Sequence, residues 1–204
     1  MNKKRIVKGI KHPIIAYYYI KSLIRGLYYR IIYKCMRKRV FIGKNIRIRG
    51  RLSIKGPGSV SIGNNVLVDG THHAVTLWTY SKDAKISIGN NVFINGARFG
   101  CKMDVEVGDN SILADCRILD TDHHSTNPSR RNDQTAIKSA PIKIGTNVWV
   151  ALDCVVLKGV KIGDNSTITA KSVVMNDVQA NCIYGGNPAI IIRTLSDDEM
   201  KENA

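Results

Sequence analysis

The stretch IGTNVWVALDCVVLKGVKIGDNSTITAKSVVMNDV, residues 144–178, decides the fold of this chain. An aliphatic residue recurs in it at every sixth position, whereas an α-helix repeats every 3.6 residues and a plain strand every two. A short, strict period is typical of a solenoid, in which each turn adds inward side chains to a continuous core. The six aliphatic positions are Ile144, Val150, Val156, Ile162, Ile168 and Val174.

A small residue stands four places after each of these positions, and it suits a tight corner where a larger side chain would clash. These residues are Val148, Cys154, Val160, Ser166, Ser172 and Val178. The phrase Ile-Gly-x-Asn also recurs, and glycine and asparagine tolerate the positive φ that a sharp corner requires. It starts at Ile42, Ile62, Ile88 and Ile144. A β-sandwich is the alternative, but its turns are irregularly spaced.

Three segments break the six-residue period: residues at about 70–85, a slip near Gly100-Cys101, and residues 120–141. Excursions from a solenoid tend to cluster on one face and often form its binding surface. We therefore expect the functional residues near these interruptions.

The third excursion begins with Asp120-Thr121-Asp122-His123-His124. Histidine exchanges a proton near neutral pH, and a neighbouring carboxylate can hold its tautomer. The cluster is therefore a candidate acid–base site. Taken alone it is ambiguous, since exposed loop histidines are often merely solvated.

Positive charge is concentrated at the N-terminal end. Residues 1–51 hold 16 Lys and Arg and no acidic residue, while the whole chain has a net charge of +15. The same segment contains six of the eight tyrosines. Its apolar stretch is interrupted by Lys21, Arg25 and Arg30, and charges at the centre of a bilayer are costly, so a membrane-spanning helix is not expected.

Two compatible interpretations remain open for residues 1–39. A basic, tyrosine-rich amphipathic helix fits the surface of an anionic membrane. Alternatively, a pair of short helices, broken at Gly26, caps the open end of the solenoid. No nucleic-acid-binding motif accompanies the basic segment, so we expect no nucleic acid partner. Cysteines without a C-x-x-C pair, and no secretion signal, indicate a reducing, cytoplasmic location.

Residues 120–193 resemble the hexapeptide-repeat acyltransferases, near the branch of galactoside, maltose and polysaccharide O-acetyltransferases. The resemblance rests on DTDHHS, APIKIGTNVWV, GVKIGDNSTITAKSVVMNDV and GGNPAIIIR. It implies an all-β solenoid, a left-handed parallel β-helix of hexapeptide repeats. Left-handedness is implied by the resemblance alone, because parallel crossovers are nearly always right-handed. The expected organisation is a basic helical segment 1–39, a β-helix domain 40–188 with an extruded loop 120–141, and a tail 189–204.

The resemblance also implies an acetyl-CoA-dependent O-acetyltransferase, working as a homotrimer with active sites between subunits. His124 matches the catalytic histidine, a one-residue shift would make it His123, and Asp120 or Asp122 could orient the ring. No metal is implied. The residues matching cofactor-binding positions are Trp149, Ala151, Leu152, Ala170, Met175, Asn176 and Arg193.

The acceptor is predicted from residues outside that match. Trp78 and Tyr80 could stack on a sugar ring, although Trp78 packing over a coil is the alternative. A basic arm at an anionic membrane suggests a cell-envelope glycan, such as a capsule or lipopolysaccharide precursor. The predicted location is the cytoplasm, peripherally on the inner face of the plasma membrane.

Two other functions are compatible with the same architecture. A γ-class carbonic anhydrase needs three zinc-binding histidines across a subunit interface. The chain has neighbouring histidine pairs but lacks the H-x4-H spacing of that class. The other alternative is a non-catalytic solenoid scaffold that has lost acyl transfer.

Overall fold

The computed structural model describes residues 12–36 and 39–201. Helix α1 (Pro13–Met36) precedes eighteen short strands, and helix α2 (Asp197–Lys201) follows them. The strands are β1 (Val40–Ile42), β2 (Arg47–Lys55), β3 (Ser59–Ile62), β4 (Leu67–Thr79), β5 (Lys85–Ile88), β6 (Phe93–Asn95), β7 (Arg98–Cys101), β8 (Asp104–Val107), β9 (Ile112–Ala114), β10 (Arg117–Leu119), β11 (Ile142–Ile144), β12 (Trp149–Val150), β13 (Val155–Leu157), β14 (Lys161–Ile162), β15 (Thr167–Ile168), β16 (Val173–Val174), β17 (Cys182–Gly185) and β18 (Ile190–Thr194).

Parallel pairing stacks these strands into three ladders. Ladder 1 contains β1, β3, β5, β8, β11 and β14. Strands β2 and β4 each turn a corner, so their first halves lie in ladder 2 with β6, β9, β12, β15 and β17. Their second halves lie in ladder 3 with β7, β10, β13 and β16. One strand from each ladder makes one coil of a parallel β-helix.

The repeat predicted the core. Ile144 pairs with Ile162 in ladder 1, so one coil there takes three six-residue steps. The six aliphatic positions that define the period are all buried, as are the six small residues that follow them. Cys154 is among the latter, a fully buried free thiol. The inward side chains form one continuous apolar cluster along the helix axis.

The recurring Ile-Gly-x-Asn phrase forms the edge between ladders 1 and 2, the 1–2 edge. Asn45, Asn65, Asn91 and Asn147 have φ of 55°, 59°, 57° and 55°, as the turn prediction required. The side-chain amides of successive asparagines are hydrogen-bonded to one another, as in Asn65 Nδ2 to Asn91 Oδ1 at 3.1 Å. Each corner therefore supports the next one.

Helix α1 covers the N-terminal end of the core. Ser22 and Gly26 are buried, and Tyr29 and Tyr33 pack against the apolar cluster. The predicted break at Gly26 is wrong, because the helix is continuous through it. Glycine serves close packing instead: a Cβ at Gly26 would lie 2.0 Å from the carbonyl oxygen of Ile46. Within residues 12–36 and 39–201, no helix combines the length and the apolar composition that crossing a bilayer requires.

The structure describes each of the three predicted breaks in the period. The first, at about 70–85, is partly strand, because β4 continues to Thr79. At the edge between ladders 2 and 3, the four residues 71–74 of β4 bulge opposite the single Arg51 of β2, since Gly50 pairs with Gly70 and Leu52 with Val75. Near Gly100 the coil takes one residue more than three hexapeptides, since Phe99 pairs with Ile118. The third excursion leaves the coil after β10 and returns at β11.

Candidate functional site

The histidine-bearing loop stands on the edge between ladders 3 and 1, the 3–1 edge. Its two ends are paired, since Thr121 forms an antiparallel bridge with Ser139 and the amide of Asp122 donates to the carbonyl of Lys138 at 3.1 Å. Two 3₁₀ turns, Pro128–Arg130 and Gln134–Ala136, are capped by Asn127 and Asp133. Hydrogen bonds from Thr135 and Arg130 lower the pKa of the Asp133 carboxyl. The loop is thus a hydrogen-bonded hairpin.

Asp120 anchors this hairpin to the coil beneath. It is fully buried, and its two carboxylate oxygens accept hydrogen bonds from the amides of Lys102 and Met103, both at 2.7 Å. The Cys101 thiol also donates to it. Burial and the Asp120 charge raise the pKa of that thiol. Asp120 therefore stabilises the turn at Lys102-Met103, rather than orienting a histidine as the sequence suggested.

Asp122 forms a second anchor. Its Oδ1 lies 2.6 Å from Lys158 Nζ, an ion pair that is only about one quarter exposed on each side. Lys158 follows β13, one coil away from the end of β10. The pair ties the first residues of the loop to the coil, so the backbone just before the histidines is held in place.

Two neighbouring aromatic residues and a histidine distant from them in sequence form a row of three rings at this edge. Trp78 and Tyr80 have ring centroids 5.4 Å apart, and the His123 ring meets Tyr80 edge-on at 4.9 Å. Lys55 Nζ lies 5.8 Å from the centroid of Trp78. The sequence predicted these residues separately as acceptor-binding and catalytic. The structure brings them together.

Gly100 makes room for this row. A Cβ at Gly100 would lie 3.0 Å from the Tyr80 hydroxyl oxygen and 2.9 Å from a methyl carbon of Leu119. The Tyr80 ring therefore rests against bare backbone. Burial, followed by the charge of Asp120, raises the pKa of the Tyr80 hydroxyl. Tyr80 accordingly keeps its proton and remains a hydrogen-bond donor beside His123.

Both histidines are exposed, but they are placed differently. His123 has φ of 62° and packs on Tyr80, while the amide of His124 donates to the carbonyl of Asp122 at 2.7 Å. The positive φ at His123 turns the chain sharply between the two side chains. His124 presents its imidazole to solvent, and His123 forms the end of the aromatic row.

The residues that match cofactor-binding positions lie in two places. Trp149 on β12 and Leu152 are each 49% exposed, and Ala151–Leu152 and Ala170 occupy successive turns of the edge between ladders 2 and 3, the 2–3 edge. The amide of Lys171 donates to the carbonyl of Leu152 at 2.8 Å, which stacks these turns. Met175 and Asn176 follow β16 and are exposed at the 3–1 edge instead.

Arg193 is engaged within the chain. Its guanidinium donates to both carboxylate oxygens of Glu199, at 2.9 and 2.7 Å. This bond raises the pKa of Arg193 and lowers that of Glu199 to about 2. An anion at Arg193 would compete with that carboxylate.

One chain does not unite the loop with four of the predicted cofactor residues. The loop histidines stand on the 3–1 edge, as do Met175 and Asn176, whereas Trp149, Ala151, Leu152 and Ala170 lie on ladder 2 and the 2–3 edge. Ladder 3 separates them. The exposed apolar surface of Trp149 and Leu152 is suited to binding a flexible, largely apolar part of a ligand. The histidines of the loop in the same chain lie on the other side of ladder 3.

Sequence reasoning missed a polar cluster on the 2–3 edge. His73 Nδ1 lies 2.5 Å from Asp115 Oδ2, and an Nη of Arg98 lies 3.2 Å from Asp115 Oδ1. The buried Nε of Arg98 has no hydrogen-bond partner among the described residues. Gly96 lies under the cluster, and its Cβ would approach Asp115 and His73 within 3.3 Å. The break in the period at residues 71–74, which carry His73, was the sequence signal for this cluster.

Within residues 12–36 and 39–201, no three histidine, cysteine, aspartate or glutamate side chains come together as metal ligands. The carbonic anhydrase alternative thus gains no support from the described residues. The absence of a metal from the reaction stays a prediction.

Several named proteins are similar to this chain, although no family model matches it. The galactoside O-acetyltransferase of Escherichia coli K12 is 39% identical over 94 residues, 46% of this chain and 45% of that protein. A protein of the same strain, WcaF, named as a colanic acid biosynthesis acetyltransferase, is 28% identical over 158 residues, 78% of this chain and 71% of that protein. The chain thus matches about half the length of the galactoside enzyme.

Solved structures share the fold. A mutant of AntD, an N-acyltransferase from Bacillus cereus in complex with dTDP-4-amino-4,6-dideoxyglucose and coenzyme A, has a TM-score of 0.67 at 22% identity, covering 83% of this chain and 90% of that one. A hexapeptide-repeat acetyltransferase from Vibrio cholerae complexed with acetyl coenzyme A has a TM-score of 0.56 at 22% identity, covering 93% and 92%.

These similarities confirm two predictions. The chain resembles the hexapeptide-repeat acyltransferases, and its fold is the left-handed parallel β-helix. Acyl transfer is the enzyme class that the named relatives share, and coenzyme A is the cofactor in the similar structures.

Proposed function

We propose that this protein, with the β-helix of the hexapeptide-repeat acyltransferases, transfers an acetyl group from acetyl-CoA to a sugar hydroxyl. One observation carries the proposal: the aromatic row of Trp78 and Tyr80 ends at the loop that bears His123 and His124. Exposed aromatic rings provide a stacking surface for a sugar, and an imidazole beside it can accept a hydroxyl proton. The named relatives are acetyltransferases, which agrees with this chemistry.

The loop supplies the base. The imidazole of His124, or of His123, accepts the proton of the acceptor hydroxyl as its oxygen attacks the acetyl carbonyl. The same imidazolium then returns the proton to the departing sulfur. Acetyl-CoA supplies the acetyl group as an activated thioester. The anchors at Asp120 and Asp122 hold the loop so that the ring need not be ordered during the reaction.

We infer that the active site lies between subunits of a homotrimer. The argument is the separation of the loop on the 3–1 edge from Trp149, Ala151, Leu152 and Ala170 on ladder 2 and the 2–3 edge. A neighbouring copy can bring its 2–3 edge to the loop, which one chain cannot do. Arg193 binds the nucleotide phosphates only when they replace Glu199 as its hydrogen-bond partner.

The acceptor is proposed to be a cell-envelope glycan or its precursor, and the enzyme to work in the cytoplasm at the inner face of the plasma membrane. The name of WcaF associates that relative with colanic acid biosynthesis, which supports a glycan acceptor. The basic, tyrosine-rich segment 1–39 supports a membrane location.

Replacing each loop histidine tests the proposal and separates the two candidates. We expect His124→Ala to lower kcat for acetyl transfer to a glycan acceptor by about 10²–10⁴-fold. His123→Ala, which removes the end of the aromatic row, should mainly raise the acceptor KM. The measurement is release of free thiol from acetyl-CoA with nucleotide sugars and lipid-linked glycans as acceptors.

The opposite pattern would assign the base to His123. Full activity of both single variants and of the double variant would reject acyl transfer by this loop and favour the scaffold. Lys138→Ala, a change of an exposed loop residue, serves as the matched control, with activity close to that of the unaltered enzyme.

A further inference from the structure

Helix α1 has two different faces. One face is directed at the coil, and its residues have the spacing of a single helical face. They are Ser22, Gly26, Tyr29 and Tyr33. The opposite stripe is apolar yet open to solvent, with every member more than half exposed. These outer-face residues are Tyr17, Ile20, Ile24, Leu27, Tyr28 and Ile31.

Such a surface is anomalous for a soluble protein. Contiguous exposed apolar patches mark sites of contact with a partner or a membrane. The inner face of α1 is sufficient to cover the end of the coil. This packing therefore does not explain why the outer face is apolar. The remaining question is which occupant its chemistry fits.

The charges around the outer face identify the occupant. Lys21 and Arg25 lie along one flank of the apolar stripe and Arg30 and Lys34 along the other, and the helix contains no acidic residue. Lysine and arginine beside an apolar stripe extend toward lipid headgroups while the stripe enters the acyl boundary. A protein interface would not require four unopposed cations. An anionic bilayer does.

A pocket of about 640 Å³ lies between this flank and the coil. Lys21, Arg25 and Arg49 line it, together with Tyr18 and Asp69. Asp69 lies 3.8 Å from Arg49 and offsets one of the three cations. The remaining positive charge beside an aromatic ring suits a phosphate, such as the headgroup of an anionic lipid.

We propose that α1 docks the protein on an anionic lipid surface: its outer face enters the membrane interface, and the pocket at Lys21, Arg25 and Arg49 takes a lipid phosphate. The helix lies flat, because its inner face stays on the coil. This deepens the membrane location given with the proposed function, but it does not depend on acyl transfer. Docking would hold the enzyme near lipid-linked acceptors.

Vesicle sedimentation of the full chain tests the proposal. We expect binding to vesicles of phosphatidylglycerol and phosphatidylcholine, and far less to phosphatidylcholine alone. Ile24→Gln should weaken binding by about tenfold through lost apolar burial. Ile190→Gln is the matched control, because Ile190 and Ile24 are 66% and 63% exposed and Ile190 lies on β18, outside the helix.

The cations form the second arm of the experiment. Lys21→Gln with Arg25→Gln should lower the affinity for anionic vesicles by about fivefold for each charge, and raised salt should have the same effect. Circular dichroism and sedimentation velocity establish that each variant keeps its fold and mass.

Equal vesicle binding by the Ile24 and Ile190 variants would overturn the proposal. So would a change of oligomeric mass in Ile24→Gln without loss of vesicle binding, because a second copy would then cover the outer face. Acetylation of a water-soluble acceptor, measured in parallel, reports the proposed enzymatic function separately.

Discussion

Single side chains hold the candidate site through the backbone of neighbouring coils. Asp120 is the clearest case, because its buried carboxylate, bound to two amides, ties the start of the loop to the turn of the coil beneath. Gly100 is another, since bare backbone there gives the Tyr80 ring its place. The placement of His123 and His124 depends on such residues.

The first residue-scale prediction concerns Asp120→Asn. An amide group keeps one acceptor but turns a donor toward a backbone amide, so one buried N–H loses its partner. We expect the free energy of unfolding to fall by about 2–3 kcal/mol. Urea denaturation measures it. Asp83→Asn, at an exposed position of the same edge, should change it little. Equal stability of both variants would contradict the anchoring role.

The second concerns pH at the C-terminal end. The Arg193 guanidinium and the Ser196 amide lower the pKa of Glu199 from 4.5 to about 2. A lowered folded-state pKa means that the interaction is fully present above pH 4.5 and is lost as the pH falls through about 2. We expect Arg193→Gln to return the carboxyl toward its usual pKa, as followed by NMR titration. Unchanged titration would disprove the pairing.

At the scale of elements, α1 and the 120–141 loop are both additions to a regular coil. The helix closes the apolar end of the core, and the loop replaces what would be a short turn at the 3–1 edge. Each is attached to the coil at specific points, among them Gly26 on Ile46 for the helix and Asp120 and Asp122 for the loop.

Gly26→Ala tests the cap. Helix propensity alone would favour alanine by about 1 kcal/mol, but the new methyl would lie 2.0 Å from the Ile46 carbonyl oxygen. Since backbone cannot yield as a side chain can, we expect a net loss of about 2 kcal/mol. Thermal unfolding measures it. Ile20→Ala, on the exposed face, should stay within about 0.5 kcal/mol. A stabilised Gly26→Ala would reject the packing.

At the scale of the whole molecule, the proposed function combines at least two copies of the chain in one catalytic centre. The loop and the exposed Trp149–Leu152 surface lie on different sides of the coil. Stacked parallel strands with a continuous core resist bending of one side toward the other.

Subunit mixing tests this arrangement. We expect a His123→Ala, His124→Ala double variant and a Trp149→Ala variant to be inactive alone or weakly active. Co-expressed subunits should regain acetyl transfer, because some interfaces then combine an intact loop with an intact Trp149 surface. Sedimentation velocity determines the mass of the assembly. Mixed assemblies as inactive as their parents would place the whole site within one chain.

The coil could be predicted because its cause is local and repeated. Each hexapeptide carries its own inward aliphatic residue and its own corner. The burial of Ile144 and the positive φ of Asn147 therefore follow from residue type and spacing. The error at Gly26 shows the limit of such reasoning. The backbone freedom of glycine predicts a break in the helix at Gly26. Its actual role depends on the close approach of Ile46, which belongs to another element.

The sequence by itself determined the period, the buried positions, the positive-φ corners and the loop that carries the histidines, because these follow from spacing and side-chain type within a few residues. Tertiary structure alone decided the row from Trp78 to His123, the use of Asp120 as an anchor, the His73–Asp115–Arg98 cluster and the exposed face of α1. Those features depend on which residues come together when coils of unequal length stack, and each extra residue at an edge shifts that alignment.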